Sequence, residues 1–312
     1  MARQWRFCFL CVVVVFLISH ANAQQPQEDR FITSLRTQSD FATWPGKRGP
    51  LKRGLIFLVA DYRDLAGFSI IRDDLDDDMK NLGMVRKISL SRSSEILDIT
   101  IGVAHSSTDN AHELLLLGEL ALSQMRFVDR LQRGDGNGVD VGDFNFILKR
   151  ARLTDLQGYI AFVRNNVICI IRDGRPDNPS TVNVQQLAAD IDARITALPD
   201  LTPEEFNTLS PGITAFRPVD DTLVAEEGSF TALNIAVSAP SGEVVKLKFS
   251  SEGKLEIDTS IDPVRISATH VFGVIPIELI AINDSLQFGQ GETSVTVIPP
   301  PSRDPNLPPF RR

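Results

Sequence analysis

Tyr159-Ile160-Ala161-Phe162-Val163-Arg164-Asn165-Asn166-Val167-Ile168-Cys169-Ile170-Ile171 is the stretch on which the fold turns. Two short apolar runs, rich in β-branched residues, flank a three-residue polar break. Asparagine tolerates the positive φ that a tight hairpin needs, so Tyr159–Val163 and Val167–Ile171 read as paired strands. A polar loop from Asp173 to Ser180 follows, with Gly174 and two prolines. Val184, Leu187, Ala188, Ile191, Ile195 and Leu198 then recur at helical spacing, which predicts a one-faced amphipathic helix.

The same order occurs upstream. Met84–Leu90 alternates, with Val85, Lys87 and Ser89 on one side and Arg86, Ile88 and Leu90 on the other. Ser91–Ser94 reads as a turn and Ile96–Val103 as a strand. His105–Asp109 offers several capping oxygens, and Glu113 stands three residues after Asn110. Ala111–Met125, rich in Leu and Ala, follows as a helix. Leu55–Val59 and Phe144–Leu148 add further apolar strands. Neither copy of strand, turn, strand, loop and helix can bury its own face. The expectation is therefore an α+β domain over 55–198: one antiparallel sheet with two helices on one side, a ββα-type pseudo-repeat.

Three prolines within Leu198–Gly212 mark a hinge over 199–212, after which helical periodicity stops. Strands are expected at Phe230–Ser238, Val245–Phe249, Lys254–Ile257, Val274–Ile282 and Thr293–Ile298, separated by Gly-, Ser- and Asn-containing turns. Short strands at this spacing predict a β-sandwich over 213–298. Pro299-Pro300-Pro301 opens a Pro-rich tail over 299–312.

At the other end, Arg3 and Arg6 precede an apolar run from Phe7 to Ile18, and Ser19–Ala23 supplies small residues at A-x-A spacing. Residues 1–23 are read as a secretory signal cleaved after Ala23, because the run is shorter than the roughly 20 residues a membrane span needs. Residues 24–54 read as a polar, flexible lead-in, with Lys47, Arg48, Lys52 and Arg53 as a solvated basic loop. The protein is thus expected to be secreted or periplasmic, with no transmembrane anchor. Formal net charge is −8, and cleavage would remove two arginines and no acid, which argues against nucleic acid as partner. Cys8 and Cys11 would leave with the signal. Cys169 then stands alone in an apolar run, a small buried hydrophobe, and export without a disulfide points to a bacterial route.

Two resemblances add to this. Glu278-Leu279-Ile280-Ala281-Ile282-Asn283-Asp284-Ser285-Leu286, followed by Glu292-Thr293-Ser294-Val295-Thr296-Val297, resembles the last two strands of bacterial Ig-like and cadherin-like modules, with Val219–Ile298 as the matching extent. The stretch has no Cys pair and no Trp, so it departs from a true immunoglobulin domain. The resemblance implies spacing or adhesion at cell surfaces. Phe162-Val163-Arg164-Asn165-Asn166-Val167 and Leu187-Ala188-Ala189-Asp190-Ile191-Asp192-Ala193-Arg194 resemble a hairpin and helix of uncharacterised bacterial exported domains, which imply no activity.

Candidate chemistry is sparse. Asp73, Asp74, Asp76, Asp77 and Asp78 form the densest charge run and are the one calcium candidate, since an acidic loop can supply six to eight oxygens. The run lacks D-x-D-x-D-G order and a distal Glu, so it reads mainly as a solvated loop. Asp135–Asp140 resembles a calcium loop, but Val139 and Phe146 occupy ligand positions. His105 and His112 lack H-E-x-x-H spacing, and His270 stands apart. Asp190 and Asp192 fall on the expected solvent side of their helix. Asn283-Asp284-Ser285 is a glycosylation sequon. No catalytic residues and no cofactor are assigned. The expectation is a non-catalytic exported protein whose α+β module binds a protein or glycan surface partner, with the β-module as spacer. The alternative is an exported hydrolase with a dispersed site containing His105 or His112.

Overall fold

A computed structural model describes residues 33, 36–37, 40–44, 50–105, 107–117, 131–134, 138–148, 158–173, 180–239 and 245–300. The expected signal (1–23), most of the lead-in and the tail beyond 300 lie outside the described residues. The fold is mostly β, with several antiparallel sheets. The chain divides into two compact units, Met1–Asp200 and Leu201–Arg312.

In the first unit, a two-residue strand β1 (Leu51–Lys52) precedes a meander of β2 (Ser69–Asp76), β3 (Gly83–Arg92) and β4 (Glu95–Ala104). Helix α1 (Thr108–Leu115) follows. A second meander contains β5 (Leu131–Arg133), β6 (Phe144–Leu148), β7 (Tyr159–Arg164) and β8 (Val167–Asp173). Helix α2 (Val184–Ala197) and the short β9 (Asp200–Leu201) close the run. The two meanders join through antiparallel pairing of β4 with β8, Ile101 opposite Cys169. This makes one seven-stranded sheet in the order β2-β3-β4-β8-β7-β6-β5. Asn165 takes the expected positive φ, 54°, between β7 and β8.

The two helices do not share a side of the sheet. Side chains alternate along a strand, so Ile168 and Ile170 face one way and Cys169 the other. Ile168 and Ile170 share a core with Ala111, Leu114 and Leu115 of α1, together with Trp44, Val85, Phe144, Phe146, Ala161 and Val163. On the opposite face Cys169 lies within electrostatic reach of Asp192 of α2. The reason is legible in the strands: Val167–Ile171 and Ile99–Ala104 are buried at every position, so both faces need cover.

Other expectations shift as well. Leu55–Val59 is not a strand; Phe57 is buried and stacks on Tyr62, with 3₁₀ turns at Val59–Asp61 and Arg63–Leu65. The lead-in is partly core: Trp44 is 6% exposed, its ring 4.3 Å from that of Phe144. Lys52 is buried rather than solvated. Its Nζ donates to the carbonyls of Leu198 (2.6 Å) and Thr196 (3.2 Å) and pairs with Asp200, placing a cation at the C-terminus of α2.

The hairpin turn organises this unit. Asn166, fully buried, accepts from the Lys52 amide at 2.6 Å and donates to the carbonyls of Lys52 and Ala104. Asn165 donates to Pro50 O, and its amide donates to Asp143. Arg164 grips Asp192 with Nε at 2.7 Å and Nη2 at 2.6 Å, and reaches Asp143 with Nη1 at 3.0 Å. Asp192 also accepts from the Gly142 amide. Asp192 is therefore a buried partner, not a solvent-side residue; only Asp190 stays outside, accepting from Gln186.

The second unit opens with α3 (Pro203–Thr208). Its Thr202–Glu205 capping box and buried Phe206 give the expected hinge a defined structure. Eight strands follow: β10 (Gly212–Pro218), β11 (Thr222–Val224), β12 (Thr231–Ser238), β13 (Val245–Ser250), β14 (Leu255–Asp258), β15 (Arg265–Ala268), β16 (Gly273–Asn283) and β17 (Phe288–Ile298). They form two four-stranded sheets, β10-β12-β15-β14 and β11-β17-β16-β13. Leu223, Leu233, Leu255, Ile266, Ile275, Ile277, Val295 and Val297 from both sheets make one core.

Asp192→Ala leaves Arg164 part-buried without its bidentate partner. We expect a loss of about 3 kcal/mol in urea denaturation at pH 7, with Asp192→Asn retaining part of it through the Gly142 hydrogen bond. A loss below about 0.5 kcal/mol would be that of an ordinary surface ion pair.

Candidate functional site

Register places one transverse row of polar side chains across five strands. Arg72 of β2 lies opposite Ser89 of β3, Ser89 opposite Asp98 of β4, Asp98 opposite Arg172 of β8, and Arg172 opposite Tyr159 of β7. The next row, two residues along each strand, is Asp74, Lys87, Thr100, Ile170 and Ala161. The row after that contains Val85, Gly102, Ile168 and Val163, and three of these four belong to the α1 core. The α1 face of the sheet therefore changes along the strands from an apolar seat to a polar platform.

The platform is concave, with a cavity of about 290 Å³ bounded by Arg72, Lys87, Ser89, Asp98, Thr100 and Arg172, with Tyr159 at one end and Ile170 in its floor. Its charges are matched. Arg72 pairs with Asp74, Lys87 with Asp76 at 2.6 Å, and Arg172 with Asp98 at 3.2 Å. Ser89 Oγ donates to Asp98 Oδ1 at 2.7 Å, so both carboxylate oxygens of Asp98 are oriented. Guanidinium, hydroxyl and carboxylate groups thus alternate on a rigid sheet, which suits recognition of a polar ligand.

The acidic run lies beside this platform and is only partly a loop, since Asp77 and Asp78 alone fall in the turn that follows β2. Asp73, Asp74 and Asp76 belong to the edge strand β2, so alternation splits them between faces. Asp73 turns to Arg86, which binds it with Nε at 2.7 Å and Nη2 at 2.8 Å. Asp74 and Asp76 face Arg72 and Lys87. The five carboxylates do not converge. Asp76, Asp77 and Asp78 bring carboxylate oxygens within 4.8 Å of one another at the strand end, where the Asp78 amide donates to Asp76.

The remaining candidates have structural roles. The His112 ring lies edge-on to Trp44 (5.7 Å) and Phe144 (5.0 Å), and burial lowers its pKa. Burial also lowers that of His105, against the opposing effect of a hydrogen bond with the Lys80 backbone. Glu113 is held by Arg36 through two bonds of 2.7 and 2.8 Å. His270 borders a wider groove of the second unit, beside Arg265 stacked on Phe230. Burial pushes the Cys169 thiol far up, which leaves it inert. Of the Asp135–Asp140 loop, 135–137 lie outside the described residues; buried Asn145 donates to Val139 O and Val141 O beside it. Asn283 of the sequon is 3% exposed, donates to Leu209 O and Gln287 Oε1, and accepts from the Ser285 and Gln287 amides. It organises a turn, and the folded chain leaves no room for a glycan there.

Sequence reasoning missed Arg72, Ser89, Asp98, Thr100, Tyr159 and Arg172 as a group. The alternation of Val85, Lys87 and Ser89 was the available signal, but only register shows what lies beside them.

Two outcomes are expected. Both histidines favour the neutral form when folded, so below about pH 6.5 the unfolded chain binds more protons and stability falls as pH falls. Urea midpoints measured from pH 7.5 to 5 should drop, and His112→Leu should make the drop shallower; an unchanged slope would remove His112 from the account. Second, with Asp73, Asp74 and Asp76 engaged by Arg86, Arg72 and Lys87, millimolar calcium against chelator should move the thermal midpoint by less than about 2 °C. A shift of many degrees lost in the double change Asp76→Asn, Asp77→Asn would make this a calcium site. No protein-family model matches the chain, and no curated protein is detectably similar to it, so its function is argued from this geometry.

Proposed function

We propose that the chain is an exported, non-catalytic binding protein. The first unit holds a ligand or partner on its sheet platform, and the second serves as an Ig-like spacer or adhesion module at or beyond the cell surface. The observation that carries this reading is the platform: a concave, rigid, charge-matched surface on a sheet whose apolar parts are already covered. Export is supported by the Arg3–Ala23 pattern; among the described residues no helix is long and apolar enough to cross a membrane. The Ig-like reading is supported by two four-stranded sheets over one core. The non-catalytic reading is supported by His112, one of the two histidines a dispersed hydrolytic site could use, which is committed to aromatic packing.

Purified protein should turn over none of a broad set of ester, glycoside and peptide substrates. Turnover abolished by a single change at His105 or His112, with the circular dichroism of the folded chain intact, would replace this reading with the hydrolase.

A further inference from the structure

We propose that the platform takes a neutral oligosaccharide; the proposal rests on the reading of the platform as the binding surface and adds the class of ligand. Charge balance carries the choice. Arg72, Lys87 and Arg172 are each paired with a carboxylate of this chain, Asp74, Asp76 and Asp98. An anion would meet cations already neutralised by these carboxylates, and a cation would meet carboxylates already neutralised by a guanidinium or ammonium. A sugar hydroxyl both donates and accepts, so it can add to such pairs without breaking them.

Geometry agrees. The row Arg72, Ser89, Asp98 and Arg172 runs donor, hydroxyl, acceptor, donor, and the Tyr159 ring, whose hydroxyl is buried, closes it. With strands about 4.8 Å apart it extends over roughly 19 Å. Hydroxyls spread along an oligosaccharide can therefore meet unlike partners along one line. Asp98 and Arg172 offer planar groups side by side, with Asp98 steadied by Ser89. Apolar surface is also present at one end, where the Tyr159 ring is only partly buried. The C–H face of a sugar packs on such a ring while its hydroxyls reach the polar groups. The cavity, about 290 Å³, sits at the small end of ligand pockets, ~300–1,000 Å³. That is room for one or two sugar units inside, with the rest of a chain lying along the row. A protein partner fits less well, because the centres of protein interfaces are depleted in charged residues and this surface is built from them.

The experiment is calorimetric titration of the full chain with maltotetraose, cellotetraose and chitotetraose, and separately with inorganic phosphate and sulfate. At least one tetrasaccharide should bind with a Kd below about 1 mM. Asp98→Ala, and Ser89→Ala combined with Thr100→Val, should each weaken it at least tenfold. Glu226→Gln in the second unit should leave it unchanged, and phosphate should not compete. These positions are half-exposed or conservatively changed, and circular dichroism checks that each variant folds. Sugar binding indifferent to the platform variants would overturn the proposal. Phosphate or sulfate binding that Arg172→Ala abolishes, with no sugar bound, would overturn the ligand class while leaving the platform as the site. No binding by any of the five probes would overturn both.

Discussion

The side chains of the Arg164–Asn166 turn bind four separate segments of the first unit. Asn166 satisfies its amide on Lys52 and Ala104, Asn165 reaches Pro50, and Arg164 spans Asp143 and Asp192. A hairpin turn thereby fastens β1, the end of β4, the loop before β6 and helix α2. The groups are buried or half-buried, where an unmade hydrogen bond costs about 1–3 kcal/mol. Alternative placements of the helix or strand would each leave several of these groups unmet. The turn therefore acts as a specificity device as much as a source of stability. On the same helix as Asp192, Arg194 lies over the Tyr62 ring and binds Asp61.

The platform inherits its order from the clamp. Held at one end by Asn166, β8 pairs with β4 so that Arg172 faces Asp98. A slip of one residue would send Arg172 to the α2 face and bring an isoleucine in its place. The platform ion pairs add little to stability themselves, since exposed pairs are worth about 0–1 kcal/mol. A row of weakly stabilising charges on a strongly stabilised sheet is a surface free to vary for recognition. The acidic edge strand fits the same view: its carboxylates neutralise the cations of β2 and β3, and their charge also guards an exposed edge.

In the second unit burial replaces clamping. The buried residues of its core cluster are aliphatic, with Phe216 and Phe249 packed against them, and its most buried polar cluster, Asn283 with Ser285 and Gln287, sits in the turn between β16 and β17. β13 covers β16 only from Glu278 to Asn283. Among the described residues, Gly273–Ile277 has no strand on that side. Pro276 lies within this open length, and a residue with no N–H suits an edge that should not recruit another strand.

Local structure was readable from the residues. The hairpin at Asn165, the helix from Val184, strands β3, β4 and β8 and most strands of the second unit follow from side-chain alternation and turn chemistry. Readings that needed a partner from far along the chain failed. Trp44 and Lys52 looked like parts of a polar lead-in because their partners, Phe144 and Leu198, are about a hundred residues away or more. Asp73–Asp76 looked like part of a loop because two of the cations that let them lie in a strand, Arg86 and Lys87, belong to β3. Asp192 was assigned to solvent because its guanidinium comes from another element. The sequence by itself determined which residues share a face and where the chain turns, since those depend on neighbours within a few positions. Only the tertiary structure decided which faces meet, which placed the helices on opposite sides and aligned the platform. The physical reason is that strands β4 and β8 pair across many residues, in the one register that buries both their apolar faces and satisfies the turn between β7 and β8.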